Sequence, residues 1–106
     1  MEDISLNIPV VTAKTFWHKF RGFMFKKDSN YGLLFKSCKS VHTFFMRFDL
    51  DIVYLDKENR VIKIIKQLKP FRVTMYAKNA VSIIEAHSNM IRGIDSLIGK
   101  RLIDFI

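Results

Sequence analysis

Two apolar runs, residues 41–56 and 60–68, are joined by the polar tetrad Asp56-Lys57-Glu58-Asn59, and this pattern commits the chain to a sheet. Both flanks are rich in Ile, Val and aromatic side chains, which pack well on a pleated surface, while Asp and Asn are good turn formers. A β-hairpin is predicted here. Ile4, Leu6 and Ile8 alternate with polar residues before Pro9, the period of a strand with one buried face. Leu33-Leu34-Phe35, Phe71 to Tyr76 and Val81 to Glu85 read as further short strands.

Helical spacing is confined to two places. Phe16, Trp17, Phe20, Phe23 and Met24 recur at intervals of three and four, predicting a short helix over about 13–21 with these aromatics in the core. Thr12 is placed to cap it and Gly22 to end it. Ser88 or Asn89 is placed to cap a second short helix across Met90 to Ile94, and Gly99 marks a turn before the last apolar segment. The expected fold is α+β and mainly β. It is a single compact domain whose mostly antiparallel sheet forms a partly closed barrel or sandwich, with two short helices.

The 106 residues, 49% of them apolar, suffice for one domain with its own core. Cys38 is the single cysteine, so no internal disulfide forms, and this points to a reducing compartment. The first residues carry Glu2 and Asp3 rather than a basic leader, and no apolar run approaches the roughly 20 residues of a membrane span. The expected location is cytoplasmic. A net charge of +8 suits contact with nucleic acid, anionic lipid or an acidic protein, or simply a solvated lysine-rich face. Glycine-rich phosphate loops, paired Cys-x-x-Cys, zinc helices and nucleophile elbows are absent from the sequence, and nothing in it calls for a cofactor.

Several segments resemble, in order, the Domain of Unknown Function 192 family. Arg21-Gly22-Phe23-Met24-Phe25 is similar to its Arg-Gly-Leu-Met-Phe signature, and Gly32-Leu33-Leu34-Phe35 to the segment that follows. Cys38 to Phe48 is similar to a subgroup pattern Cys-Arg-Ser-Ile-His-Thr-Phe-x-Met-Arg-Phe, continued by Asp49 to Asp56. Leu68-Lys69-Pro70-Phe71-Arg72 and Ala80 to Glu85 fit two later pieces. The resemblance covers residues 10–102 and implies a mostly β domain with no settled activity, found in bacteria and archaea. Asp49 stands where the pattern has Pro, Phe71 where it has Trp, and His87 lies in a turn that the pattern builds differently.

Cys38, His42 and Met46 fall at intervals of four. On a helix they would share a face suited to Cu(I), whereas on a strand each neighbour lies about 13 Å away, too far for one metal. The same separation opposes a Cys38–His42 nucleophile and base oriented by Asp51 or Asp49. Strand parity puts His42, Phe44, Met46 and Phe48 on one face and Val41, Thr43, Phe45 and Arg47 on the other. If buried, His42 needs a hydrogen-bond partner, and Asp51 is the expected one. Arg47 is expected in a surface ion pair with Asp49. The leading expectation is a non-enzymatic module that binds a small molecule or peptide near His42, Arg47, Asp51 and Arg72. One alternative is a hydrolase or transferase using His42 and Asp51. Another is nucleic-acid binding through residues 57–78, which carry seven basic residues against one acid.

Overall fold

In a computed structural model the described residues are 3–26, 29–38, 40–74 and 77–103, without the side chains of Phe16, Trp17 and Phe20. The expected core role of those three aromatics, and the strand ends at Met75-Tyr76 and 104–106, therefore lie outside the described part. In chain order the elements are β1 (Asp3–Ile4), β2 (Val10–Thr12), α1 (Phe16–Arg21), β3 (Gly32–Lys36), β4 (Leu50–Leu55), β5 (Val61–Leu68), β6 (Ser82–His87), a 3-10 turn (Ile94–Leu97) and β7 (Arg101–Leu102). No helix among them is long and apolar enough to cross a membrane.

Five strands form one sheet in the order β2-β3-β6-β4-β5. β2 runs parallel to β3, and the other neighbours are antiparallel. β1 and β7 make a separate parallel pair that joins Asp3 to Arg101 both in register and through an ion pair of 2.6 Å. The predicted hairpin is present as β4 and β5, with Asp56 Oδ1 accepting the Glu58 and Arg60 N–H groups at 2.9 Å to shape the turn. Asn59 takes a φ of 64°, a conformation Asn tolerates.

The expected barrel or sandwich is not found. β2 and β5 are the edges of one five-stranded mixed sheet among the described residues, only the start of β5 being bonded to the 99–101 segment, and apolar side chains cover both of its faces. The reason lies in β3, β4 and β6, which are buried on both sides over most of their length, so a second sheet is not needed to hide one face. Val53, Leu55, Ile84 and Ala86 point to one face with Leu97 and Leu102, and Leu50, Ile52, Tyr54 and Ile83 point to the other with Phe23, Phe35 and Met46. The exposed edge strand β5 carries Lys63 and Lys66 outward, which discourages pairing with another chain.

The two short helices are also corrected. α1 begins at Phe16, because Thr15 rather than Thr12 is the cap, its side chain accepting the His18 N–H at 2.9 Å. Gly22 ends it, donating its N–H to the His18 carbonyl at 2.9 Å. The second becomes a turn at Asn89 followed by the 3-10 segment, since Asn89 has a φ of 69° and Gly93 one of 64°.

Residues 41–49 are not a strand. They are an irregular loop touching the 69–74 loop through a single bridge, His42 to Val73. Thr43 is the node. Its N–H donates to the Arg72 carbonyl at 2.7 Å, its carbonyl accepts from Phe71 at 3.0 Å, and its hydroxyl donates to the Lys69 carbonyl at 2.7 Å. The same hydroxyl accepts the Arg72 N–H at 2.8 Å. A turn at Phe44-Phe45, with Phe45 at a φ of 61°, then breaks the expected alternation.

Asp51 has a structural task. Between the pairs Leu50–Leu68 and Ile52–Ile65 one residue of β4, Asp51, faces two of β5, Lys66 and Gln67, a bulge in which Gln67 takes a φ of 56°. Buried Asp51 accepts the Gln67 N–H on Oδ1 at 2.9 Å and the Asn89 N–H on Oδ2 at 3.1 Å. One carboxylate thus holds a bulge and a turn. Asp51→Ala leaves two backbone donors unpaired and is expected to cost about 2–4 kcal/mol, with Asp51→Asn costing less because one acceptor remains. Urea unfolding of the two variants beside the parent measures both.

Candidate functional site

Where the end of α1, the 38–46 loop and β6 meet, a cavity of about 190 Å³ opens. Gly22 and Lys19 form one wall, Phe35 and Met46 the apolar side, and Cys38, His42 and Val73 the other flank. Glu85 of β6 also lines it. That volume corresponds to only a few water molecules at about 30 Å³ each and is below the usual range of drug-sized sites.

Glu85 is the unusual member. It sits in the middle of the central strand, opposite Leu33 on one side and Ile52 on the other, and is only 1% exposed. Its Oε1 has no hydrogen-bond partner among the described residues. Burial away from any neutralising charge pushes its carboxyl up to about 8, so at neutral pH it is held mostly as the protonated acid. Gly22 gives it room: a Cβ there would lie 3.3 Å from Oε1, 3.6 Å from the Met46 methyl and 3.7 Å from the Phe35 ring.

Cys38 is half-buried, and its Sγ donates to the Ser40 carbonyl at 3.0 Å. Burial pushes its thiol up, against smaller opposing effects from the Ser40 hydrogen bond and the Lys19 ammonium. A thiol held protonated is a poor nucleophile and a poor metal ligand. Lys19 itself donates to the Lys36 carbonyl at 3.1 Å. The His42 ring is stacked on Phe44 at 5.5 Å, and its Nδ1 accepts the Phe44 N–H at 3.2 Å. Among the described residues no group of three or more His, Cys, Asp or Glu is arranged to hold a metal ion.

The residues expected to form the site are thus separated. His42 and Asp51 lie on different sides of the sheet. In β4 Asp51 pairs with Ala86 and Ile52 with Glu85, so alternation sends Asp51 to one face of the sheet and Glu85, beside His42, to the other. Asp51 instead lines a second depression of about 600 Å³ with Gln67, Asn89 and the 91–96 segment. Arg72 is exposed on the loop bound to Thr43, its Nη1 donating to the Phe71 carbonyl at 3.4 Å. Arg47 is exposed, and the expected Arg47–Asp49 pair is replaced by Lys69 to Asp49 at 2.7 Å.

Conversely, Cys38, His42 and Met46 line one cavity after all, because the loop that carries them is not extended. The distance of about 13 Å holds only for a strand. Glu85, which sequence spacing does not single out, also lines this cavity. Its signal was an acid between Ile84 and Ala86 in a strand otherwise apolar or small. Of the cations of 57–78, Lys66 pairs with Asp95 at 2.9 Å, Arg60 lies 3.8 Å from Glu58, and Lys63 sits 5.7 Å from the Tyr54 ring centre.

Residues 2–103 match the family model DUF192, described as an uncharacterised ACR. A UPF0127 protein of Thermococcus kodakarensis is 36% identical over 92 residues, spanning 81% of this chain and 58% of the relative. A UPF0127 protein of Thermococcus sibiricus is 31% identical over 99 residues, spanning 88% of this chain and 64% of the relative. The chain thus spans about three fifths of the length of these relatives, which are archaeal. In fold it is similar to a protein of unknown function from Novosphingobium aromaticivorans, with a TM-score of 0.69 and 18% identity over 78% of this chain and 65% of the other. It is also similar to a putative transcription regulator from Sinorhizobium meliloti, with a TM-score of 0.66 and 13% identity over 76% of this chain and 69% of the other.

The raised carboxyl of Glu85 has a measurable consequence. Between its ordinary value of 4.5 and about 8 the folded state holds a proton that the unfolded chain releases, so stability is lost as pH rises through this window. Glu85→Gln removes that loss. Its advantage in melting temperature over the parent is expected to be small near the lower end of the window and to grow to the equivalent of a few kcal/mol, order of magnitude, above the upper end. Thermal unfolding of both proteins across that range decides it, and a constant difference would show Glu85 ionised throughout.

Proposed function

This chain belongs to the DUF192 family, and we propose that it is a non-enzymatic binding module whose cavity takes a small ligand, or the tip of a peptide, through Glu85. The observation that carries this reading is the buried Glu85 Oε1, lining the cavity with no partner of its own. An orphaned buried acceptor costs stability, and a ligand N–H or O–H would satisfy it. The family-like segments around Gly22, around Cys38 to Met46 and at Glu85 all contribute walls to this cavity.

The rest of the lining narrows the ligand. Phe35, Val41, Met46 and Val73 favour an apolar body of a few heavy atoms. Glu85, driven to its carboxylate by an approaching ammonium group, favours an amine, and Lys19 in the same lining favours an acidic group on the same molecule. A small amino-acid-like zwitterion meets both. His42 belongs to this site, with Arg72 as a rim residue on the loop bound to Thr43. Asp51, committed to the Gln67 and Asn89 N–H groups, supports the scaffold instead. The enzymatic alternative through His42 and Asp51 would need the two side by side, and Asp51 lies on the other face of the sheet from this cavity.

Calorimetric titration with glycine, alanine, methylammonium and acetate tests the reading. Heat is expected from the two zwitterions, with weaker binding of methylammonium and none of acetate. Glu85→Gln should remove it, and so should Gly22→Ala, whose added methyl falls 3.3 Å from Oε1. Absence of heat from every probe with the folded parent protein sinks the proposal, as does undiminished binding by Glu85→Gln.

A further inference from the structure

Beside the cavity mouth, and sharing Val73 with its lining, lies an exposed apolar surface. Phe25, Phe44, Phe45 and Phe71 are 64%, 40%, 51% and 57% exposed, and Val73 is 60% exposed. Three separate turns bring these rings together. Phe25 stacks on Phe45 at 5.5 Å, Phe45 meets Phe71 edge-on at 5.8 Å, and Phe44 lies 6.3 Å from Phe71. A backbone bond from the Phe25 N–H to the Phe45 carbonyl, 3.0 Å, fastens two of the turns.

Phe25, Phe45 and Phe71 have φ values of 65°, 61° and 64°. A bulky side chain in the left-handed region is an outlier, and such strain gathers where function requires it. Here the strain holds three large apolar rings in solvent.

We propose that this patch is a docking surface for an anionic lipid bilayer. The exposed rings and Val73 amount to roughly 500 Å² of apolar surface, taking about 200 Å² for a whole aromatic side chain, a size at which patches mark interaction sites. This falls short of the roughly 800 Å² that each partner contributes to a stable protein interface. A net charge of +8 also opposes association with a second copy.

Cations border the rings: Arg72 follows Phe71 and bonds its carbonyl, Lys26 follows Phe25, and Arg47 lies two residues from Phe45. The nearby carboxylate, Asp49, is taken by Lys69 at 2.7 Å. Charge complementarity therefore calls for an anionic partner. Phenylalanine has no polar handle, the faces of Phe25 and Phe45 are turned toward one another and Phe44 lies against His42, so the rings suit a hydrocarbon layer better than nucleobases needing free faces. The rings would enter below the headgroups while the cations meet anionic phosphates.

Co-sedimentation with phosphatidylcholine vesicles, with and without about 30% phosphatidylglycerol, tests the proposal. Binding is expected to the anionic vesicles, at least about tenfold weaker to the neutral ones and weakened by added salt. The double variant Phe45→Asn/Phe71→Asn should lose binding about tenfold or more while keeping or raising the melting temperature, since Asn tolerates the left-handed backbone. Equal binding by the double variant, or no binding to anionic vesicles, overturns the proposal. So does a dimer in ultracentrifugation that the double variant disperses, or oligothymidylate binding that depends on the same two rings.

Discussion

The hydrogen bonds of Thr43 hold the functional half of this molecule in place. With its backbone and hydroxyl it engages Lys69, Phe71 and Arg72, and it is fully buried while doing so. Thr74 reinforces it from the other loop, donating its N–H to the Val41 carbonyl at 2.8 Å and accepting the Val41 N–H on its hydroxyl at 2.8 Å. Neither loop has a ladder of its own, so these bonds replace one. They position His42 and Val73 at the cavity and the phenylalanine turns outside it.

Two buried acids, Asp51 and Glu85, illustrate how a structural carboxylate is told from one available for binding. They occupy neighbouring central strands, yet alternation puts them on opposite faces. Both oxygens of Asp51 accept backbone N–H groups, which accounts for its burial completely. Glu85 has an oxygen that accepts nothing and a glycine where any other residue would crowd it. Native proteins leave few buried polar atoms unpaired, and this oxygen is one of three among the described residues, with Arg60 Nε and Ser88 Oγ.

The sheet was legible in the sequence because its signals are local. The β-branched run of β4 and β5, the Asp56 turn and the apolar β3 and β6 each announce themselves within a few residues. The site was not, because residues 41–49 have strand-like composition and a conformation imposed from far away. Nothing near Phe45 signals a left-handed backbone, since phenylalanine avoids it, and the bonds that secure the loop come from residues 69–74. Because the loop turns rather than extends, Cys38 and His42 share one cavity, and Asp51 lies on the opposite face of the sheet. The barrel expectation failed for a related reason: strands buried on both faces look, in sequence, like strands awaiting a second sheet.

The place of β6 in the sheet has a consequence for the growing polypeptide. β2 and β3 can pair with each other, as can β4 and β5, but β3 and β4 have no ladder in common until β6 enters between them. During synthesis the first half and the hairpin therefore emerge as two unconnected pieces, each with an unfilled edge. The strand that unites them also delivers Glu85, so the cavity comes into being in the same event that completes the sheet. A nascent chain halted before residue 82 would have neither, and its bare edges would be open to chaperones or to aggregation.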